Sequence, residues 1–214
     1  MPTPCYVLYY SPSTASSMVH WLLIELGVEH DLRLVDLAGG EHKRSDYLRL
    51  NPVGVVPTLS IDGEPVFEAA ALMLQLADLH PDAGLCPAIG TPERARYYQW
   101  TLHLANSLQP AFRLWFYPSE GAGEANAEAT KAHARARIEA VWDRLDVELG
   151  KRGPYLLGER ISILDFYATI LMRWARNMPK PATEWPQLDA LAKRMKARPS
   201  FRTLYEREGL TDWT

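Results

Sequence analysis

Cysteine is scarce in this chain, and long uniform runs of any kind are missing. Its 214 residues contain two cysteines, Cys5 and Cys86. Their separation fits no metal-binding or Cys-x-x-Cys pattern, so both read as reduced thiols of a cytoplasmic protein rather than as a disulfide framework. No apolar run approaches the roughly 20 residues needed to span a bilayer. The N-terminal Met1-Pro2-Thr3-Pro4 lacks the basic-then-apolar order of a signal peptide. Charge of one sign is missing too: the formal net charge of −3 supplies no general electrostatic reason to bind nucleic acid or an anionic membrane. Repeats and low-complexity tracts are absent. What remains is an ordinary globular composition, 47% apolar and 23% charged, long enough for one large or two modest domains.

The first 80 residues alternate between strand and helix signals. Cys5-Tyr-Val-Leu-Tyr-Tyr10 is a short apolar run that suits a buried strand. A hydroxyl-rich turn, Ser11 to Ser17, leads into a helix with Val19, Leu22, Leu23 and Leu26 on one face and Gly27 closing it. Leu32 and Leu34 alternate with Asp31 and Arg33 as a second strand. Gly39-Gly40 breaks the pattern, and residues 43–50 predict a short helix. A hairpin follows, then a helix from Glu68 to Leu79. The order is β-α-β-α-β-β-α. After a Pro-, Gly- and Ala-rich linker at 81–92, everything reads helical: 93–117, 124–149, a central apolar helix after Ser162, and two shorter helices near 187–197 and 200–208. In the second of these, Ile138, Val141, Trp142, Leu145 and Leu149 form one stripe. Ser162-Ile-Leu-Asp165 is a capping box with Ile161 placed to staple against Phe166. The expected division is therefore 1–80, linker 81–92, and 93–214.

The hairpin carries the strongest local signal, Asn51-Pro-Val-Gly-Val-Val-Pro57-Thr-Leu-Ser-Ile-Asp-Gly63, followed by Phe67-Glu68-Ala69. Asp62-Gly63 is a two-residue hairpin turn. Proline at the mouth of a strand supplies no N–H to the ladder. After Pro57 the residues alternate, Leu59 and Ile61 on one face and Thr58 and Ser60 on the other. Two readings stand: an edge hairpin with a trans proline, or a cis proline that leaves the preceding residue's amide and carbonyl free for a ligand.

An α/β domain of about 80 residues with this proline before its third strand, joined to an all-helical domain, resembles the soluble glutathione transferases, and in particular their bacterial-like members. The resemblance covers essentially the whole chain. Its markers are Gly40-Glu41-His42-Lys43, the Asn51–Leu59 stretch, Glu68-Ala69-Ala70-Ala71, and Gly158 with the Ser162/Asp165 box. It implies a thioredoxin-like first domain holding glutathione as co-substrate without a metal, an all-helical second domain, a homodimer and a cytoplasmic enzyme. Val56, before a cis Pro57, would pair its backbone with the cysteinyl unit. Glu68 and Ala69 at a helix start would hold the γ-glutamyl end, and His42 and Lys43 would reach the glycyl carboxylate. A peptide with an anionic group at each end suits a helix N-terminus and basic side chains.

Two departures qualify the resemblance. The family usually has serine where Ala69 stands; losing one hydrogen bond to a charged group costs about 1.5–3 kcal/mol, roughly ten- to hundredfold in affinity. The first turn, Ser13-Thr14-Ala15-Ser16, has no thiol, which excludes dithiol chemistry by the protein at this site. By gapless alignment the turn is serine-type, with Ser13, then Thr14, then Ser16 as candidate donors to the glutathione sulfur, and Tyr9 or Tyr10 as further alternatives. The work asked is modest. A thiol of pKa near 8.5 is only about 3% ionised at pH 7, and lowering it by two units takes about 2.7 kcal/mol. One charged hydrogen bond supplies about 1.5–3 kcal/mol, and a helix N-terminus about 0.3–1. Hydroxyls before an apolar helix are also what N-caps look like.

His20 and His103 read as ordinary helical histidines, because metal sites need clustered ligands. Tyr10, Asn106, Arg113, Phe116 and Tyr117 are candidates for the electrophile pocket that the resemblance implies, with inter-domain core or dimer interface the competing reading for the Arg113–Tyr117 cluster. Glu93-Arg-Ala-Arg96 and Lys193-Arg-Met-Lys196 read as solvated faces rather than nucleic-acid sites. The expected activity is attack of the glutathione thiolate on small hydrophobic electrophiles. A glutathione-dependent isomerase, dehalogenase or peroxidase on the same scaffold, and a non-catalytic interaction module, are the alternatives.

Overall fold

The computed structural model describes residues 4–214; Met1, Pro2 and Thr3 of the N-terminal stretch lie outside the described residues. The chain divides into two compact units. One runs through Ala83 and takes in Lys196–Asp212 and Thr214; the other is Gly84–Met195 with Trp213.

In the first unit four strands, β1 (Tyr6–Tyr10), β2 (His30–Leu34), β3 (Thr58–Ile61) and β4 (Glu64–Phe67), lie in the order β2-β1-β3-β4. β1 is parallel to β2 and antiparallel to β3, and β3 is antiparallel to β4. The expected hairpin turn forms with both central residues, Asp62 and Gly63, at positive φ (53° and 92°), which matches the right-handed twist of its strands. Helices α1 (Ser16–Glu25), α2 (Ser45–Leu48) and α3 (Ala69–Leu79) complete the β-α-β-α-β-β-α order. Leu22 and Leu23 of α1, Leu72 and Leu76 of α3, and Tyr6, Leu8 and Leu59 of the sheet are fully buried in the core. Each such aliphatic side chain contributes about 1.5–3 kcal/mol.

The trans-proline reading is corrected: the Val56–Pro57 bond is cis. The hairpin does lie at the edge of the sheet, with β4 outermost, but β3 is a central strand and Thr58 and Ser60 are buried. Thr58 is accommodated because its hydroxyl lies 2.9 Å from the Tyr47 hydroxyl. The helix expected over 43–50 is shorter, a 3₁₀ turn at Glu41–Lys43 followed by α2.

The second unit is helical. α4 (Pro92–His103) and α5 (Gln109–Phe116) form one path, joined by a π turn at Leu104–Leu108. Pro110 falls in the first turn of α5, where its missing N–H is tolerated. α6 (Pro118–Ala122) precedes α7 (Ala127–Arg152), whose predicted stripe is buried at all five positions. α8 (Ile163–Trp174) is buried on every side from Ile163 to Arg173, and the Ser162/Asp165 capping box is present. Burial pushes Asp165 up to about 6, against the pull of the Leu156 and Ser162 donors. α9 (Pro186–Lys196) follows. The basic segment at 93–96 is not wholly a solvated face. Arg94 is buried, donates to the Pro87 carbonyl at 2.9 Å, and stacks over Tyr97 and Tyr98. An arginine stem covers aromatic surface readily, so its charge does not force exposure.

The last helix, α10 (Pro199–Glu208), forms where the sequence predicts one, but it groups with the sheet. It packs on α1. Glu25 pairs with Arg198 and accepts the Ser200 hydroxyl at 2.5 Å, and Trp21 Nε1 donates to the same Ser200 oxygen at 2.9 Å. No helix among the described residues is long and apolar enough to cross a membrane.

Candidate functional site

Strand register gathers the predicted site at one end of the sheet. Tyr9 of β1 pairs with Thr58 of β3, and Thr58 pairs with Phe67 of β4. The Ser11 turn after β1, the Val56–Pro57 bond before β3 and Glu68 after β4 therefore emerge side by side. β2 is parallel to β1, and the Val35 N–H donates to the Tyr10 carbonyl at 2.8 Å. The chain leading to His42 and Lys43 leaves the sheet at the same end. α1 and α3 also begin here, so two helix N-termini face this end.

The Ser11–Ser17 turn is closed by its own hydroxyls. Thr14 Oγ1 and Ser16 Oγ lie 2.8 Å apart, and 2.7 and 2.9 Å from the Ser11 carbonyl oxygen. Ser16 Oγ also accepts the Ser11 N–H at 3.1 Å, and Thr14 Oγ1 accepts the Ser16 N–H at 3.2 Å. None of the three candidate hydroxyls is a formal cap, since the N-cap of α1 is Ala15, which has no side-chain hydrogen bond. Ser13 sits at the bend with φ 65°. Its N–H donates to Glu208 Oε2 of α10 at 3.1 Å. The same oxygen accepts the Ser17 hydroxyl at 2.7 Å, and Oε1 accepts His20 Nδ1–H at 2.9 Å. The His20 and Glu208 side chains are completely buried. Burial, with Glu208 adding to it, raises the Tyr10 phenol above its ordinary range, so Tyr10 stays protonated.

Val56 and Pro57 are joined by a cis peptide bond, as one of the two sequence readings requires. The Val56 side chain packs with Val35 and Tyr47. The loop around it is pinned from inside: the Tyr47 hydroxyl and Asn51 Nδ2 both donate to the Val55 carbonyl, at 2.7 and 2.8 Å. By contrast, the Val56 N–H and C=O have no hydrogen-bond partner among the described residues. Lys43 Nζ donates to the Gly54 carbonyl at 2.7 Å, so the lysine braces this loop. Gly54 is required here, with φ +66° and a Cβ position 2.9 Å from the His42 carbonyl oxygen. His42 is half-buried, and its Nδ1 is buried without a partner among the described residues.

Glu68 occupies the N-cap position of α3 with φ 74° and ψ 106°. Its side chain is exposed and makes no capping bond. Ala69, the first residue of α3, is buried. A non-glycine residue at such an angle costs about 1–3 kcal/mol, which persists only where the surroundings or a function demand it.

The profile described as glutathione S-transferase, N-terminal domain, matches residues 12–79, and that of the C-terminal domain matches 128–207. Glutathione S-transferase GstA of Escherichia coli O157:H7 is 30% identical over 205 residues, covering 95% of this chain and 98% of that one. The chain belongs to the glutathione S-transferase family. A glutathione transferase homologue from Sulfitobacter, solved with bound glutathione, superposes with a TM-score of 0.88 at 28% identity, over 97% of this chain and 99% of that one. Maleylacetoacetate isomerase of Dictyostelium discoideum is 26% identical over 199 residues, 91% of this chain and 90% of its own. Membership places the chain among the glutathione transferase enzymes, with the four-stranded first domain and helical second domain of that fold.

Of the expected glutathione-transferase residues, the register brings Ser13, Thr14, Ser16, Val56, Pro57, Glu68 and Ala69 to one sheet end, and the loop that carries His42 and Lys43 leaves from it. In the helical unit, Arg113, Phe116 and Tyr117 cluster at the end of α5. Arg113 forms a two-pronged ion pair with Glu120, both contacts at 2.7 Å, and stacks 4.1 Å over Tyr117. Phe116 is half exposed and stacks on Phe112. Asn106 lies on the π turn, exposed. Among the described residues no group of three His, Cys, Asp or Glu is set to hold a metal. Sequence reasoning missed Glu208, Tyr47 and Asn51 as supports of the site. Asn51 lay inside the strongest motif, but nothing in the run Tyr205-Glu-Arg-Glu208 distinguishes it from a solvated helix end.

Proposed function

We propose that this chain binds glutathione at the end of the sheet and directs its thiolate onto small hydrophobic electrophiles, by substitution or conjugate addition. The observation that carries this reading is Val56, a buried residue whose backbone N–H and C=O have no internal partner and which stands between two helix N-termini. A peptide backbone laid beside it gains the two hydrogen bonds that the protein leaves unmade. The exposed Glu68 carboxylate then receives the α-ammonium of the γ-glutamyl group, while the N-terminus of α3 at Ala69 receives its carboxylate. His42, with Lys43 beside it, faces the glycyl carboxylate. Ser13, at the bend of the turn, donates to the sulfur, with the hydroxyls of Thr14 and Ser16, which bond Ser11 and one another, as the further candidates. The nucleophile is the glutathione thiolate, and the protein supplies hydrogen bonding and orientation without a metal.

Tyr10 and the aromatic end of α5 are proposed to face the electrophile. The same reading carries the division 1–80, 81–92 and 93–214, a homodimer and a cytoplasmic location. An isomerase using the same thiolate is the second reading, favoured by the isomerase among the relatives. Calorimetric titration with glutathione tests the binding; saturable heat at millimolar concentration or below is expected, and its absence points to a non-catalytic module. A panel containing an aryl halide, an epoxide, a hydroperoxide and a cis-enedione then separates transfer from peroxide reduction and isomerisation.

A further inference from the structure

Glu208 belongs to the last helix, 195 residues from the turn it holds. Its carboxylate gathers three donors, each from a different position along the turn and first helical turns of α1: the Ser13 N–H at 3.1 Å, the Ser17 hydroxyl at 2.7 Å and His20 Nδ1–H at 2.9 Å. Ser13 is the one contact that reaches outside α1, and its backbone lies in the left-handed region at φ 65°. A serine there relaxes to a commoner angle unless something holds its amide. The glycine that ordinarily fills such a bend would remove the hydroxyl. Burial of the carboxylate makes the hold firm, because a charged acceptor taken out of water bonds its donors more strongly. His20 fixes the other carboxylate oxygen; its ring is flanked by Tyr10 and His30 at 5.7 and 5.6 Å, and its Nε2 has no partner among the described residues.

We propose that Glu208 is a positioning residue for the proposed sulfur donor: α10 clamps the Ser13 amide through a buried carboxylate and so fixes where the Ser13 hydroxyl points. The inference rests on the glutathione reading for its catalytic consequence, but the clamp itself is a property of the protein alone. Glu208 touches neither substrate nor sulfur. It acts through the Ser13 backbone, and the placement of the thiolate donor depends on a helix that the sequence assigns to the other end of the chain.

Two measurements separate the clamp from the reading it serves. In the protein without ligand, the Ser13 amide is expected to exchange slowly with solvent and to shift strongly when Glu208 is replaced. Exchange at the rate of an open turn in the unaltered protein would overturn the clamp, even if every Glu208 variant failed to fold. With glutathione, Glu208→Ala is expected to raise the pKa of the bound thiol and lower kcat about tenfold, the loss expected when one charged hydrogen bond no longer sets the donor. Glutathione KM should change less. Glu208→Gln keeps an oxygen for Ser13 and Ser17, and its amide can donate to the other tautomer of His20, so it should restore most of the rate. Glu25→Ala is the control: it loosens the docking of α10 through Arg198 and Ser200 without touching Ser13, and should lower Tm while leaving the thiol titration unchanged. Equal thiol shifts in Glu25→Ala and Glu208→Ala would reduce Glu208 to a general support and sink the proposal. If the unaltered protein binds no glutathione, the functional reading fails while the amide measurement still decides the clamp.

Discussion

Ser13 and Glu68 stand at the same end of the sheet, both left-handed without being glycine, at φ 65° and 74°. The protein treats them in opposite ways. Around Ser13 the Thr14, Ser16 and Ser17 hydroxyls are all engaged, and a buried carboxylate from α10 holds its amide. At Glu68 the side chain is exposed and makes no capping bond, so the bend is set by the hairpin before it and the helix after it. Each angle costs about 1–3 kcal/mol. At Ser13 the protein supplies the compensation itself. At Glu68 the carboxylate is left for something from outside. On the proposed reading, one residue is held in place to act and the other is presented to bind.

The comparison breaks most readily at Glu208. Replacing a buried, fully partnered carboxylate with alanine strands the Ser13 N–H, the Ser17 hydroxyl and His20, a loss of about 3–5 kcal/mol. For a chain of this length that lowers Tm by roughly 10 °C. Glu68→Ala, removing an exposed carboxylate at the matching bend, should leave Tm within about 2 °C. Paired thermal melts check both halves; similar losses would show that the two bends are held alike.

A second buried carboxylate sharpens the point. Asp165 also accepts three hydrogen bonds, from the Leu156 and Ser162 N–H groups and the Ser162 hydroxyl, but from no histidine. Burial raises it from 3.8 to about 6. The folded state therefore holds a proton that the unfolded chain has released. The stability this contributes is complete below about pH 4 and is lost as pH rises to about 6, by about 3 kcal/mol. Melts of the unaltered protein against Asp165→Asn from pH 4 to 7 should show the difference shrinking over that window in favour of the variant.

At the binding bend the effects are read in affinity. Glu68→Gln should weaken glutathione binding ten- to hundredfold with little change in Tm, from the loss of about 1.5–3 kcal/mol of charged hydrogen bonding. Ala69→Ser, which adds a hydroxyl at the start of α3, should strengthen binding by up to about tenfold. Calorimetric titration reads both.

Most of the fold was legible because its signals are local. Asp62-Gly63 specifies its turn, Ser162 and Asp165 announce their helix, and the stripe from Ile138 to Leu149 names its own buried face. The proposed binding half of the site was legible for the same reason, since Pro57 and Glu68 sit in one short stretch. The holding half was not. Arg94 resembled a solvated charge until Tyr97 and Tyr98 covered it. Thr14 and Ser16 had the composition of helix caps, and only their distances to Ser11 show that they close the turn. Glu208 reaches Ser13 across almost the whole chain, a contact that no local pattern encodes.

Whether Ser13 is held in place to stabilise the glutathione thiolate, as proposed, is decided by titrating thiolate absorbance of the bound tripeptide in the unaltered protein and in Ser13→Ala. The unaltered protein should bring the thiol below its free value near 8.5, and Ser13→Ala should return it most of the way. Identical titrations in the two proteins would rule out that role for Ser13.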